Sequence, residues 1–177
     1  MRYLLALLLL AGCSTKPAEQ SDWERAQGRP APTEAEIALP AYPLASRLVE
    51  FEKGGGGAFR LFIDPATLSV DKDGVVRYVL VARSSSGAEN VTYEALRCDT
   101  AEFRLYALGR SDGTWARSRT GWRPLQMAQP RQFVLYSDYF CPQKVAIHNT
   151  AEGVRALEEN GHPFAKGFGG DHSLRRD

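Results

Sequence analysis

The chain has 177 residues, with 22 Lys or Arg against 21 Asp or Glu. The resulting net charge of +1 gives no overall field that would attract nucleic acid or acidic lipid headgroups, so charge alone names no partner and we expect no nucleic-acid ligand. The length suits one domain with a sizeable core and a short extension.

The first thirteen residues form one processing signal. Arg2 supplies a positive start, and residues 3–11 form an apolar run. This run is shorter than the roughly 20 residues of a membrane-spanning helix but has the length of a secretory signal core. The segment Leu10-Ala11-Gly12-Cys13 resembles a bacterial lipobox, which implies cleavage before Cys13 and a lipid on its sulfur. An ordinary secretory signal is the alternative.

The predicted lipid sets the expected location. Each buried acyl methylene contributes ~0.8 kcal/mol, so several acyl chains hold a protein on a bilayer essentially permanently. By resemblance to the sorting of such lipoproteins, Ser14 in place of an aspartate implies the outer membrane, with the domain facing the periplasm. We therefore expect a cell-envelope protein that contacts the membrane through its anchor.

Composition divides the chain into four regions. Residues 1–12 are the signal peptide, and residues 13–39 form a lipidated flexible tether because they are rich in Ala, Pro, Glu and Ser and lack apolar periodicity. Residues 40–162 form a single globular α+β domain, and residues 163–177 form a disordered tail rich in glycine.

Short runs of β-forming residues, separated by turn residues, begin at residue 59. Residues 75–82 carry apolar side chains on both faces, which is typical of a central strand that is covered on both sides. The predicted strands lie at 59–63, 67–70, 75–82, 90–98 and 102–109, with short runs at Trp115 and at 122–125. Consecutive strands with tight turns predict a meander-like antiparallel sheet of five or six strands.

Helical spacing appears after Pro130. Aromatic residues recur at intervals of three and four, which predicts an aromatic stripe that packs on the sheet. This stripe consists of Phe133, Tyr136, Tyr139 and Phe140. A second helix is predicted over residues 151–160, with Thr150 as its cap and Gly161 and Pro163 as its stop. The fold class is therefore α+β, with one or two C-terminal helices.

The cysteines predict one disulfide. Lipidation uses Cys13, which leaves Cys98 and Cys141 as an even pair in a compartment where disulfides persist. A zinc site or a reactive thiol is the alternative, but the chain has no Cys-x-x-Cys pair and no histidine near Cys98 in sequence. We expect a structural bridge, and no metal or other cofactor.

Five short motifs follow one another along the chain: Leu39-Pro40-Ala41-Tyr42-Pro43, Asp73-Gly74-Val75-Val76-Arg77-Tyr78, Ser86-Gly87-Ala88-Glu89-Asn90-Val91, Tyr93-Glu94-Ala95-Leu96-Arg97-Cys98 and Tyr136-Ser137-Asp138-Tyr139-Phe140-Cys141. This ordered series resembles the cryptic neisserial protein-like family of proteobacterial envelope proteins. The resemblance covers about residues 23–157. It implies a shared fold and an envelope location, but no activity and no catalytic residue.

Four strand residues form the candidate binding face: Arg77, Tyr93, Glu94 and Arg97. Arginine and tyrosine are common in interface hot spots, and a guanidinium binds a carboxylate with two hydrogen bonds. An internal network of buried Arg and Glu is the alternative. Trp115 and Trp122 present a similar choice between a core position and stacking on a glycan.

The leading functional hypothesis is a non-catalytic accessory or binding domain, anchored by lipid and directed at an envelope protein or peptidoglycan. The rival is an enzyme that acts on an envelope polymer, with Glu94, Asp138 or His148 as its acid or base. A purely structural spacer is the third. No catalytic residue is assigned, because the chain has no Gly-x-Ser-x-Gly motif and its histidines lack metal-ligand spacing.

Overall fold

The computed structural model describes residues 37–51, 58–71 and 74–166. The predicted signal peptide, Cys13 with most of the tether, and residues 167–177 of the predicted tail lie outside the described residues. The domain boundaries and the lipidation of Cys13 therefore stay predictions.

An antiparallel sheet forms the centre of the described domain. Its strands are β1 Val49–Phe51, β2 Phe59–Ile63, β3 Ser69–Val70, β4 Val75–Ser84, β5 Glu89–Arg97, β6 Glu102–Gly109, β7 Trp115–Arg117 and β8 Arg123–Pro124. The hydrogen-bonded order is β1-β2-β4-β5-β6-β7, while β3 pairs with β4 and β8 pairs with β6. The predicted α+β class is confirmed.

The longest pairing joins β4 to β5, from Val75 opposite Arg97 to Arg83 opposite Glu89. Its connection contains Gly87, which has a φ of 86° and donates its N–H to the Ser84 carbonyl at 3.0 Å. Because Gly lacks a Cβ, it adopts this left-handed conformation at low cost. The two strands therefore form a tight hairpin at the middle of the sheet.

The helices follow the sheet in sequence. They are α1 Pro130–Val134, a π-helix Leu135–Phe140 that continues it, α2 Thr150–Glu158 and α3 Pro163–Lys166. Three-residue 3₁₀ turns lie at Ala45–Arg47, Pro65–Thr67 and Pro142–Lys144. No helix within the described ranges combines the length and the apolar character needed to cross a membrane.

The two faces of the sheet carry different cores. The helix face packs against the helical segments, and its buried residues include Phe51, Ile63, Leu68, Val76, Tyr78, Leu80, Leu96, Leu135, Tyr139, Phe140, Ile147 and Leu157. The opposite face, called here the arginine face, buries Phe62, Val75, Val79, Val81, Val91, Tyr93, Ala95, Tyr106 and Ala107. Both faces of β4 are covered, as its sequence predicts.

The predicted disulfide is confirmed. Cys98 and Cys141 are bonded, with their Cα atoms 5.1 Å apart, and both are buried in the helix-face core. The bridge joins the end of β5 to the residue after the π-helix. It therefore fastens the helical layer to the central strands.

Three details differ from the sequence-based predictions. The sheet of the described residues has eight strands rather than five or six, because the short runs at Trp115 and at 122–125 form β7 and β8, and because β1, with three residues, is too short to show alternation. The cap of α2 is Asn149 rather than Thr150, since the Asn149 side chain accepts the Glu152 N–H, while the Thr150 hydroxyl donates to the Leu68 carbonyl. A short helix, α3, begins at Pro163, where a disordered tail was predicted.

Candidate functional site

The sheet separates the four residues of the candidate binding face. Arg77, Tyr93 and Arg97 have the strand parity of the arginine face, and Glu94 lies on the helix face, opposite Tyr78 in the β4–β5 pairing. All four side chains are buried. They therefore do not form a shared exposed groove.

Arg77 and Arg97 each contact a carboxylate close by. The Arg77 guanidinium lies 2.6 Å from Asp71, which is exposed at the end of β3. Arg97 lies 2.8 Å from Glu102 and 4.0 Å from the centre of the Trp122 ring, in a cation–π arrangement. These contacts give both arginines a role in holding the arginine face together.

Arg104 was missed by the sequence analysis. The register places Arg77 and Arg104 on either side of Ala95, so both guanidinium groups start from the same face of the sheet. Arg104 is buried and lies 5.0 Å from the centre of the Tyr106 ring. The signal was present in the alternation of β6, where residue 104 falls between the helix-face residues Phe103 and Leu105.

Tyr93 belongs to an aromatic row on the arginine face. Its ring centre is 5.3 Å from that of Tyr106 and 6.5 Å from that of Trp115. Burial raises the pKa of Tyr93 to about 12, against the opposing effect of nearby Arg77. Tyr93 thus remains protonated at neutral pH and acts as a packed aromatic residue.

Glu94 is the acceptor in a buried network under α1. Its carboxylate accepts hydrogen bonds from the Tyr78 hydroxyl at 3.2 Å, from Thr92 at 2.8 Å and from the Gln132 amide at 3.0 Å. Burial raises the pKa of Glu94, while these hydrogen bonds lower it in part. The arrangement ties β4, β5 and α1 together.

A second polar cluster lies at the start of α2. Glu152 accepts hydrogen bonds from the backbone N–H and the Nδ1 of His148, at 2.6 and 2.9 Å, and contacts the Nε2 of His162 at 3.0 Å. The Phe164 N–H donates to Nδ1 of His162 at 3.2 Å, which assigns the His162 proton to Nε2. His162 is buried, whereas the His148 side chain is 77% exposed.

The three residues that the enzyme hypothesis names do not share one site, because Glu94 lies apart from Asp138 and His148. Asp138 accepts the Ser137 hydroxyl at 2.8 Å, and its backbone carbonyl accepts the His162 N–H. Asp138 is therefore linked to His148 through His162 and Glu152. Glu94 has a different set of partners under α1.

Exposed positive charge follows the edge of the sheet formed by β7 and β8. Arg110, Arg117, Arg119 and Arg123 are exposed, and the half-buried Trp115 and Trp122 lie among them in sequence. These six residues are called here the Arg/Trp edge. Asp112 is the one acidic residue in the segment 110–125. The two tryptophans are candidate residues in the sequence, whereas the four arginines were not predicted.

The sequence left open whether Trp115 and Trp122 are core residues or exposed residues, and each is partly both. Both pack against the arginine-face core, Trp115 beside Tyr42 and Trp122 beside Tyr106, and both keep part of their surface exposed. Neither is a fully buried core residue.

The entering chain crosses the arginine face beside this edge. The Ile37 carbonyl accepts hydrogen bonds from both Nη atoms of Arg117 at 3.2 Å, and the Pro40 carbonyl accepts the Trp115 Nε1–H at 2.9 Å. Tyr42 donates its hydroxyl to the Arg110 carbonyl at 3.1 Å. Residues 37–42 therefore form a strap that is held by the Arg/Trp edge.

Among the side chains that the structure describes, no group of three or more His, Cys, Asp or Glu could hold a metal ion. The contacts that join His148, Glu152 and His162 are the hydrogen bonds given above.

The structure defines a small α+β domain. A disulfide joins its sheet to its helices, and one edge of the sheet is rich in arginine. Residues 27–158 match the model of the CNP1-like family, and the chain belongs to that family. The resemblance read from the sequence motifs is confirmed. Comparison with curated proteins and with solved structures gives no match.

Proposed function

We propose that the chain is a lipid-anchored accessory protein of the cell envelope, held at Cys13 and facing the periplasm from the outer membrane, and that its domain binds another envelope component. The lipobox supports the anchor, and the Cys98–Cys141 disulfide is in keeping with an oxidising compartment. Binding rather than catalysis is the role that the exposed surface supports best.

The observation that carries the binding role is the Arg/Trp edge. Arginine and tryptophan are enriched at interface hot spots because each combines a large contact area with directed hydrogen bonds. Here four exposed arginines and two half-buried tryptophans lie along 14 consecutive residues, Arg110 to Arg123. An acidic protein surface, an anionic headgroup and the carboxylates of peptidoglycan all share the chemistry that such an edge recognises.

The buried arginines act beneath this surface. Arg97 stacks on Trp122, and Tyr93 and Tyr42 contact Trp115. These contacts fix the orientation of the tryptophans that the edge presents. Substitution of Arg97 would therefore disturb folding as well as binding, and the test of the site needs exposed residues instead.

A crosslinking experiment in intact cells tests the proposal. Partners captured by the wild-type chain are compared with those captured by Arg119→Glu/Arg123→Glu and by a matched control, Lys144→Glu/Arg155→Glu, which makes the same change in charge at exposed positions away from the edge. We expect the edge variant to lose partners that the control retains. Equal capture of proteins and of lipids by all three chains would contradict a binding role for the edge.

One observation favours the enzyme as a second candidate. The ionised Glu152 carboxylate holds Nδ1 of the exposed His148, which directs Nε2 of the imidazole towards solvent, as in a general base. An enzyme of this kind would release soluble fragments from purified peptidoglycan, and His148→Gln would abolish the release. If the wild-type chain releases none, this candidate fails for that polymer.

A further inference from the structure

We infer that the component bound by the Arg/Trp edge is the anionic phospholipid surface of the membrane that holds the anchor. The inference rests on the proposed lipidation of Cys13 and names the partner of the domain. The edge and the lipid then act together as two membrane signals on one chain.

The described part of the chain begins beside the Arg/Trp edge. Ile37 is the first described residue, and its carbonyl is bound by Arg117 on β7. The 24 Cα-to-Cα steps from Cys13 to Ile37 reach at most about 85 Å. A lipid at Cys13 therefore keeps the domain close enough to the bilayer for the Arg/Trp edge to contact it.

The charge distribution favours an anionic partner at the same place. Three exposed or partly exposed arginines elsewhere are paired with nearby carboxylates: Arg47 with Asp64, Arg60 with Glu50 and Arg83 with Glu89. The segment 110–125 carries four arginines against Asp112, which accepts hydrogen bonds from Thr114 and interacts electrostatically with Arg110, so the segment has three more arginines than carboxylates. A local positive edge thus exists on a chain with a net charge of only +1.

The side chains suit phospholipid headgroups. A planar guanidinium binds phosphate with two parallel hydrogen bonds, and tryptophan prefers the interface between apolar and aqueous regions. The half-exposed Trp115 and Trp122 flank Arg117 and Arg119 in sequence. Because an anchor raises the effective concentration of the domain at the bilayer, contacts too weak to recruit a free domain become populated.

Hydrogen exchange on the full lipidated chain tests this inference. The chain is reconstituted in vesicles of phosphatidylglycerol and phosphatidylcholine, and in vesicles of phosphatidylcholine alone. We expect the backbone amides of residues 110–123 to exchange more slowly in the anionic vesicles, and this protection to decrease in high salt. Arg119→Glu/Arg123→Glu should weaken docking at least about 25-fold, whereas Lys144→Glu/Arg155→Glu should leave the protection intact.

The same samples separate failure of the inference from failure of the proposed function. Mass spectrometry reports acylation of Cys13 before exchange begins. An acylated chain whose edge exchanges equally in both vesicles overturns the membrane inference and leaves a protein or peptidoglycan partner. Protection that is insensitive to salt and to the charge reversal also overturns it. A chain without acyl groups overturns both the anchor and the inference that depends on it.

Discussion

Glu94 and Glu152 show how two carboxylates in one small domain acquire opposite shifts in pKa. Burial is the largest influence on Glu94, and it raises the pKa of that carboxyl. Burial also acts to raise the pKa of Glu152, but hydrogen bonds from the His148 backbone and from both imidazoles outweigh it and lower the pKa to about 2. The pH dependence of stability should therefore have opposite signs at the two sites.

Replacement of Glu152 by Gln should destabilise the domain at neutral pH by roughly 2 kcal/mol, because the bonds to a charged acceptor are lost. The folded pKa lies below the unfolded value of about 4.3, so the stabilising contribution is present above pH ~4.3 and is lost as the pH falls towards 2. Urea unfolding of wild type and Glu152→Gln should therefore show a difference that narrows over this window. Glu158→Gln, an exposed change on the same helix, is the control. A difference that persists unchanged at pH 2 would contradict the assignment.

Glu94→Gln should show the reverse behaviour. Because the folded pKa of Glu94 lies above its unfolded value, the folded state binds the proton more tightly, and the ionised form costs stability. The free energy of unfolding of wild type, measured relative to Glu94→Gln, should increase as the pH falls from the folded pKa to about 4.3. Denaturant midpoints for both chains across pH 4–8 would measure it; a constant difference would show that Glu94 is not desolvated.

For the candidate binding face, the sequence predicts which residues share a face of the sheet but not whether that face is exposed. Strand alternation places Arg77, Tyr93 and Arg97 on one face, as the structure shows. The burial of that face depends on contacts distant in sequence, such as the strap contact between Ile37 and Arg117. Local sequence patterns contain no information about such contacts, and for the same reason the Arg/Trp edge was missed.

At the level of elements, the strands and helices that are long enough to show a clear periodicity were predicted from the sequence. β4 and β6 were predicted within two residues, because both are long and their turn residues are clear. β1 was not predicted, since three residues cannot show an alternating pattern. The π-helix was predicted as part of an ordinary helix, because the spacing of its aromatic residues is compatible with both.

The π-helix explains how the helical layer reaches the sheet. The Cys141 N–H donates to the Tyr136 carbonyl at 3.0 Å, five residues earlier, which closes the wider turn. Tyr139 and Phe140 are both buried in consequence. The Tyr136 hydroxyl donates to the Cys98 carbonyl at 3.0 Å, next to the disulfide.

Gly153 in α2 provides a test of helix packing. Gly→Ala in a helix interior normally stabilises by about 1 kcal/mol. Here a Cβ would lie 2.6 Å from Cδ1 of Ile147 and 2.7 Å from Cδ2 of Leu68, so we expect Gly153→Ala to destabilise by about 1–3 kcal/mol. Gly121→Ala, whose Cβ would meet nothing within 4 Å, should change stability by less than about 0.5 kcal/mol. Thermal or urea unfolding measures both, and a stabilised Gly153→Ala would show that α2 packs less closely on the sheet.

At the scale of the whole molecule, the Cys98–Cys141 bridge holds the two layers together. It closes a separation of 43 residues, for which chain entropy gives a stabilisation of up to ~4 kcal/mol. Cys98→Ser/Cys141→Ser should lower the urea midpoint accordingly, and reduction of the wild-type chain should have a similar effect. Stability unaffected by both changes would mean that the bridge does not constrain the unfolded chain.

The described domain has a helical side and a side that is crossed by the N-terminal strap. Helices pack on one face of the sheet, and the strap from the N-terminal region crosses the other face beside the Arg/Trp edge. If Cys13 carries the lipid, the length of chain before Ile37 keeps the Arg/Trp edge within reach of the bilayer. The proposed function therefore depends most on the lipidation of Cys13.

The intact mass of the chain purified from its native membranes tests that claim most directly. We expect a mature protein that begins at Cys13 and carries acyl groups on that residue, together with an intact Cys98–Cys141 bridge. A mature chain that begins at another residue, or that lacks acyl groups, would contradict the account of an anchored envelope protein.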